Sequence, residues 1–139
     1  MAKMNFSIYF VLFIGTFTVV LLKAGFVYTD QPKFCNLCHV MRPAYEAWFH
    51  NTHQTVGCNE CHVPASFPAH YYYKAKFGTR DVYSYFFGRI PDQINPSSET
   101  LGIVRDNCIF CHGAAIGKLV HQENIYCLQC HKNTAHYLK

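Results

Sequence analysis

The chain has 139 residues, and its 12 Lys and Arg against 8 Asp and Glu give a formal net charge of +4. This length suits one modest domain and excludes a multidomain enzyme. So small a basic excess gives no support for nucleic-acid binding, and it is equally typical of a protein beside anionic lipid headgroups.

The N-terminus predicts a membrane anchor. Residues 5–22 hold no charged side chain, and the apolar run continues past Lys23 to Tyr28. A helix needs about 20 such residues to cross a bilayer. We therefore predict a transmembrane signal anchor within residues 1–29, with a short turn at residues 29–32 before the first cysteine, Cys35. A cleaved signal peptide is the alternative, but its apolar stretch is usually shorter, and an A-x-A cleavage site is missing here.

The orientation of the anchor follows from the charge that precedes it. Lys3 before the span favours a cytoplasmic N-terminus. We therefore predict a single-pass protein of the inner (cytoplasmic) membrane, with residues 30–139 as an extracytoplasmic domain on the periplasmic side.

The pattern C-x-x-C-H occurs four times, at residues 35–39, 58–62, 108–112 and 127–131. It is typical of haem c attachment, because two thiols bond the two vinyl groups of one porphyrin and the histidine lies beneath the iron. Structural zinc is the alternative, but it gives no reason for a histidine after every second cysteine. We predict four covalently bound haems c, held by Cys35, Cys38, Cys58, Cys61, Cys108, Cys111, Cys127 and Cys130.

The motifs form two close pairs along the chain, which indicates two two-haem units at about 30–90 and 101–139. So little protein cannot build an ordinary core, so the porphyrins must supply most of the buried apolar surface, with ten Tyr and twelve Phe to lie against them. The predicted fold class is mainly α with long loops, with one N-terminal transmembrane helix and a compact multihaem domain.

The segment between the motif pairs is basic and aromatic. The aromatic residues of segment 68–90 recur at helical spacing. Gly78 leaves open whether the segment forms one continuous helix. Either a position in the membrane interface or packing on a haem fits this composition. Residues 91–100 are predicted to form a surface loop.

Iron in c-type haems takes a histidine together with a second histidine or a methionine. The histidines of the last three motifs, His62, His112 and His131, are predicted ligands. Five further histidines are His50, His53, His70, His121 and His136. His136 lies too close to His131 in the sequence to reach the opposite face of the same haem, so as a ligand it would serve another one.

The first motif continues as C-x-x-C-H-x-M, with Met41 two residues after His39. This pattern, the single N-terminal anchor and the four-motif layout resemble the tetrahaem quinol dehydrogenases of the NapC/NirT/NrfH family, over essentially the whole chain. The resemblance implies that the protein oxidises menaquinol and passes electrons to a periplasmic multihaem reductase, in this subgroup the ammonia-forming cytochrome c nitrite reductase.

Two other functions stay open. The same quinol dehydrogenase role would feed a hydroxylamine-oxidoreductase-like enzyme or a nitrate or N-oxide reductase. A protein of another class, a haem-based gas sensor, would use the open face of one haem.

The resemblance also implies roles for individual residues. Met41 would bind the first iron in place of His39, Lys74 would contact the quinol, and Asp81 would flank the first haem. As a catalytic pair, Lys74 hydrogen-bonds a quinol oxygen and Asp81 takes a proton as general base. The alternative is an exposed salt bridge, which contributes little.

The same resemblance assigns distal ligands to two of the haems. His53 would serve the fourth haem and His136 the third. The sixth ligand of the second haem stays open between His50, His70, His121 and a side chain of the partner subunit.

Overall fold

A computed structural model describes residues 2–88, 90, 94–117 and 127–136. Over these residues the chain is helical and contains no strand. This confirms the predicted fold class, mainly α with one apolar helix at the N-terminus. The elements are α1 (Ala2–Asp30), α2 (Pro32–Cys35), a 3-10 turn (His39–Met41), α3 (Arg42–Phe49), α4 (Cys58–His62), α5 (Ala69–Phe87), α6 (Ser98–Ile116) and α7 (Cys127–Cys130).

Helix α1 is long and apolar enough to cross a membrane. Its stretch Phe6–Asp30 has 25 residues, and an 18-residue window within it has a mean hydropathy of 2.2 and no buried residue. Thr18 and Thr29 donate their hydroxyls to helix carbonyls at 2.8 and 2.9 Å, which satisfies these groups without water. At 1.5 Å per residue this stretch is roughly 37 Å long, against about 30 Å of hydrocarbon, so one end reaches the interface.

The end of α1 corrects one expectation. The sequence predicted a turn from Thr29 to Pro32, but Thr29 and Asp30 still belong to the helix. The chain leaves the helical conformation at Gln31, with φ −67° and ψ 132°. The cause is Pro32, whose ring disfavours the helical conformation in the residue before it.

Helix α6 begins earlier than the sequence predicted. The expected loop at residues 91–100 ends at Ser97, because the Ser97 side chain accepts a hydrogen bond from the Thr100 amide at 3.2 Å and caps the helix. Glu99 in the first turn adds a favourable charge. The helix ends before Gly117, whose φ of 49° favours glycine.

Helix α5 connects the membrane helix with the haem-motif domain. It continues through Gly78 without a break. Near its N-terminus, the Tyr71 ring packs edge-on against Phe26 of α1 with centroids 5.2 Å apart. In its middle, Lys76 donates to Glu99 of α6 at 2.6 Å.

The contact between α4 and α6 centres on one buried amide. The Asn107 side chain donates to the carbonyls of Cys61 and Val63 at 3.0 and 2.8 Å. Cys61 belongs to the second motif and Val63 follows it directly, so this amide fixes the second and third motifs relative to each other.

We expect Asn107→Ala to lower the free energy of unfolding of the haem-loaded protein by about 1–3 kcal/mol, because two buried carbonyls lose their donor. Urea unfolding followed by haem absorbance measures it. Asp106→Ala, one residue away on the exposed side, should change stability by less than about 0.5 kcal/mol. Equal effects of the two substitutions would contradict the role of the amide.

Candidate functional site

Three of the four C-x-x-C-H motifs lie on helices. The second forms α4, the third lies inside α6, and the fourth begins with α7. The first starts at the end of α2 and continues through a turn, where the Cys38 amide donates to the Cys35 carbonyl at 3.4 Å. Positions three and four apart share one side of a helix, so a helical motif directs its two thiols and its histidine to the same side.

Successive motifs are neighbours in space. Cys35 shares a hydrogen bond with the first cysteine of the second motif, which lowers the pKa of the Cys35 thiol. Burial, followed by the nearby Cys111, raises the pKa of Cys61. Burial raises the pKa of Cys108 to about 11, and Cys127 adds to this effect. The motifs therefore follow one another in space in chain order.

The arrangement fits covalently bound haem. Within the described residues, Val63 and Phe77 are the only buried hydrophobic residues. All eight cysteines are free of disulfides. A domain with so little apolar interior is not stable alone, and the porphyrins that the motifs are spaced to bind would supply it. In the part of the chain that the structure describes, no three His, Cys, Asp or Glu side chains converge as a zinc site requires.

Two pairs of histidine rings lie roughly 6 Å apart between centroids, which fits two ligands on one metal at about 2 Å each. His53 and His112 are separated by 6.0 Å, and His62 and His136 by 5.8 Å. Burial lowers the pKa of His62, and His136 adds to this, which favours the neutral ring that binds metals. The resemblance instead pairs His53 with His131 and His136 with His112. Packed haems bring ligands of both irons together, so the iron that each ring binds stays a prediction.

The first motif faces the second half of α5. The rings of His39 and Tyr85 have centroids 6.0 Å apart. Asp81 lies four residues before Tyr85, on the same side of the helix. Its carboxylate is exposed and lies 3.4 Å from Arg80. Met41 is partly exposed at the end of the 3-10 turn.

Lys74 lies at the other end of this helix, against α1. Its ammonium donates to the Asp30 carboxylate at 2.6 Å and to the Phe26 carbonyl at 2.7 Å, and it lies 4.9 Å from the centroid of the Phe26 ring. The amide of Asn59 in the second motif donates to the same Asp30 oxygen at 2.5 Å. The side chain of Lys74 is only 11% exposed.

Three histidines outside the motifs are not placed near another histidine by the described structure. His50 is exposed and 4.0 Å from Glu46, one turn earlier. The Nδ1 atom of His70 lies 3.1 Å from the Pro64 carbonyl oxygen. This hydrogen bond does not involve Nε2 of the same ring. His121 lies outside the described residues.

Sequence reasoning missed two groups of supporting residues. Asp30 and Asn59 were assigned no role, although Asp30 is the first acidic residue after the apolar stretch. Trp48, the single tryptophan, was also missed. Its indole N–H donates to the carbonyls of His53 and Val56, both at 2.9 Å, and so fixes the turn that contains His53.

Comparisons with known proteins agree with this geometry. Residues 1–101 match the N-terminal region of the NapC/NirT cytochrome c family. The chain is 35% identical to the cytochrome c nitrite reductase subunit NrfH of Nitratidesulfovibrio vulgaris, over 88% of this chain and 78% of the relative. It is 30% identical to the c-type protein NrfH of Wolinella succinogenes, over 98% of this chain and 89% of the relative.

A solved structure has the same fold. It is the cytochrome c nitrite reductase NrfHA complex bound to the HQNO inhibitor, and one of its chains matches with a TM-score of 0.82 and 34% identity. The match covers 91% of this chain and 87% of the other.

The apolar N-terminal helix and the haem-attachment motifs define a membrane-anchored c-type cytochrome. Its covalently attached haem gives the class an electron-transfer role. The chain belongs to the NapC/NirT cytochrome c family, close to its NrfH members.

Trp48→Phe tests the turn at His53. The substitution keeps an aromatic ring but removes the donor to two carbonyls. If His53 is a haem ligand as predicted, we expect the low-spin signal of that haem to broaden or split in electron paramagnetic resonance. The free energy of unfolding should fall by about 1–3 kcal/mol. Tyr45→Phe, beside Trp48 in α3, is the control and should leave the spectrum unchanged; a wild-type spectrum for Trp48→Phe would rule out this role.

Proposed function

We propose that this protein is a tetrahaem subunit that oxidises menaquinol at the periplasmic surface of the inner membrane and passes electrons to a periplasmic cytochrome c nitrite reductase. The observation that carries the proposal is the match to a chain of the HQNO-bound NrfHA complex over 91% of this chain. The two NrfH relatives support the same assignment.

The haem domain would comprise residues 30–139 outside the cytoplasm, as two units at about 30–90 and 101–139. Four haems would be attached through the eight cysteines, and neighbouring thiols of successive motifs support an unbroken row of haems. The proposed iron ligands are Met41, His62, His112, His131, His53 and His136. The haems supply one-electron carriers between quinol and reductase.

Quinol oxidation releases two electrons and two protons, and two side chains of α5 would handle the head group. Lys74 lies at the membrane end of the domain, and its ammonium has three donor positions, of which two are in use. The third would bind a quinol oxygen. This donor orients the head group and stabilises negative charge on its oxygen.

Asp81 would accept a proton on the other side of the head group. It lies seven residues after Lys74 on one helix, roughly 10 Å along the axis and on nearly the same side. A quinol head group between them is within reach of both side chains. The exposure of Asp81 gives the accepted proton a path to water, and the contact of His39 with Tyr85 supports its position beside the first haem.

Other terminal enzymes are alternatives to the nitrite reductase as electron acceptor. A hydroxylamine-oxidoreductase-like enzyme or a nitrate or N-oxide reductase would use the same quinol site. Purification of the tagged protein from native membranes, followed by nitrite-dependent reoxidation of its haems, separates these acceptors. A gas sensor would instead bind CO tightly without oxidising quinol.

We expect Lys74→Ala to slow reduction of the haems by a menaquinol analogue in detergent by roughly tenfold, because a hydrogen bond from a charged donor to the quinol is lost. Lys76→Ala, two residues further along α5, should change the rate less than twofold. Dithionite should reduce both variants fully. The quinol assignment fails if the analogue does not reduce the wild-type protein.

Asp81→Asn should slow the same reaction by roughly a hundredfold, since a general base contributes at least that much. Asp106→Asn is a close control. Asp106 lies 3.5 Å from the preceding Arg105 and is 72% exposed, and Asp81 lies 3.4 Å from Arg80 and is 69% exposed. Similar rates for the two variants would mean that Asp81 is an ordinary surface charge.

A further inference from the structure

We infer that Asp30 is a positioning residue of the quinol site, which holds the Lys74 ammonium at the membrane surface and directs its remaining N–H toward the quinol. This inference rests on the proposed function, because it assigns a residue that acts through Lys74. No pattern in the sequence indicated it, since the two residues are 44 positions apart.

The first step is the burial of the cation. The Lys74 side chain is only 11% exposed and lies against the last turns of α1, the candidate membrane helix. A poorly solvated ammonium needs an opposite charge to stay in place. Asp30 supplies that charge at 2.6 Å, and the ring of Phe26 at 4.9 Å adds an attraction to its π face.

The second step is geometry. An ammonium has three donors at tetrahedral angles. Asp30 and the Phe26 carbonyl accept two of them, and both acceptors belong to the last turns of α1. The direction of the third donor is therefore set by the end of the membrane helix. Without the carboxylate, the flexible lysine stem would let the ammonium turn to water.

The third step is the support of Asp30 itself. The amide of Asn59 donates to the same carboxylate oxygen at 2.5 Å. Asn59 lies between the two cysteines of the second motif. The carboxylate is thus held by the second motif on one side and by α1 on the other, and these contacts limit its rotation although the Asp30 side chain is 38% exposed.

The chain contains a matched pair for comparison. Lys76 of α5 donates to Glu99 at the same distance of 2.6 Å, but both side chains are about two-fifths exposed. An exposed pair of this kind contributes little. Glu99→Gln therefore removes the acidic partner of another lysine of α5 without touching the Lys74 site.

The experiment compares Asp30→Asn, Asp30→Glu and Glu99→Gln in the full-length, haem-loaded protein in detergent. We expect Asp30→Asn to raise both the KM for a menaquinol analogue and the half-inhibiting HQNO concentration by roughly tenfold, with a smaller change in kcat. Asp30→Glu should recover most of the loss, and Glu99→Gln should stay within twofold of wild type. Haem content and dithionite reduction should be equal in all variants.

A double-mutant cycle with Lys74→Ala tests whether Asp30 acts through the lysine. In the Lys74→Ala background, Asp30→Asn should add no further increase in KM. A full additional increase, or a wild-type KM for Asp30→Asn alone, would overturn the inference while leaving quinol oxidation intact. A wild-type protein that no quinol reduces would overturn the proposed function and this inference together.

Asn59→Ala serves as a second variant if Asp30→Asn fails to assemble its haems. It removes one of the two side-chain donors to the carboxylate and keeps the ion pair, so we expect a rise in KM of roughly threefold that disappears in the Lys74→Ala background. An unchanged KM in Asn59→Ala would then count against the positioning role.

Discussion

The structure depends on one constraint, which is that the polypeptide does not fill its own interior. Among the described residues, two hydrophobic side chains are buried, while many aromatic side chains remain exposed. Since folding needs buried apolar area to offset conformational entropy, the missing area has to come from groups attached to the chain. Three of the four haem-attachment motifs lie on helices, so haem attachment would be coupled to folding.

With the interior left to the haems, the helices need other means to fix their relative positions. Buried or half-buried polar contacts serve this purpose. Asn107 joins α6 to the second motif, Trp48 fixes the turn at His53, and the Lys74–Asp30 pair joins α5 to α1. Hydrogen bonds have strict geometry, so a few of them orient motifs that apolar packing alone would leave free to shift.

The sequence allowed the anchor, the haem motifs and the helical class to be predicted, because each depends on residues that are close together in the chain. The start of α6 was predicted too late, although Ser97 is a residue type that favours the N-cap of a helix. The Pro and Ser residues at 96–98 were interpreted as part of a loop instead. The contact between Asp30 and Lys74 could not be predicted. It depends on how α5 crosses the end of α1, and no local pattern specifies that crossing.

The position of Asp30 gives the membrane helix a second role. A helix that only tethers a domain would end in a flexible linker, yet α1 continues to Asp30 and makes two hydrogen bonds with Lys74 through its last turns. The same carboxylate reaches the second motif through Asn59. One charge at the lipid boundary therefore joins the anchor, the helix with the proposed quinol ligands and a haem-attachment helix. In such an arrangement, the depth of the anchor in the bilayer would also set the depth of the lysine, and so would place the donor where the proposed lipid-soluble quinol enters.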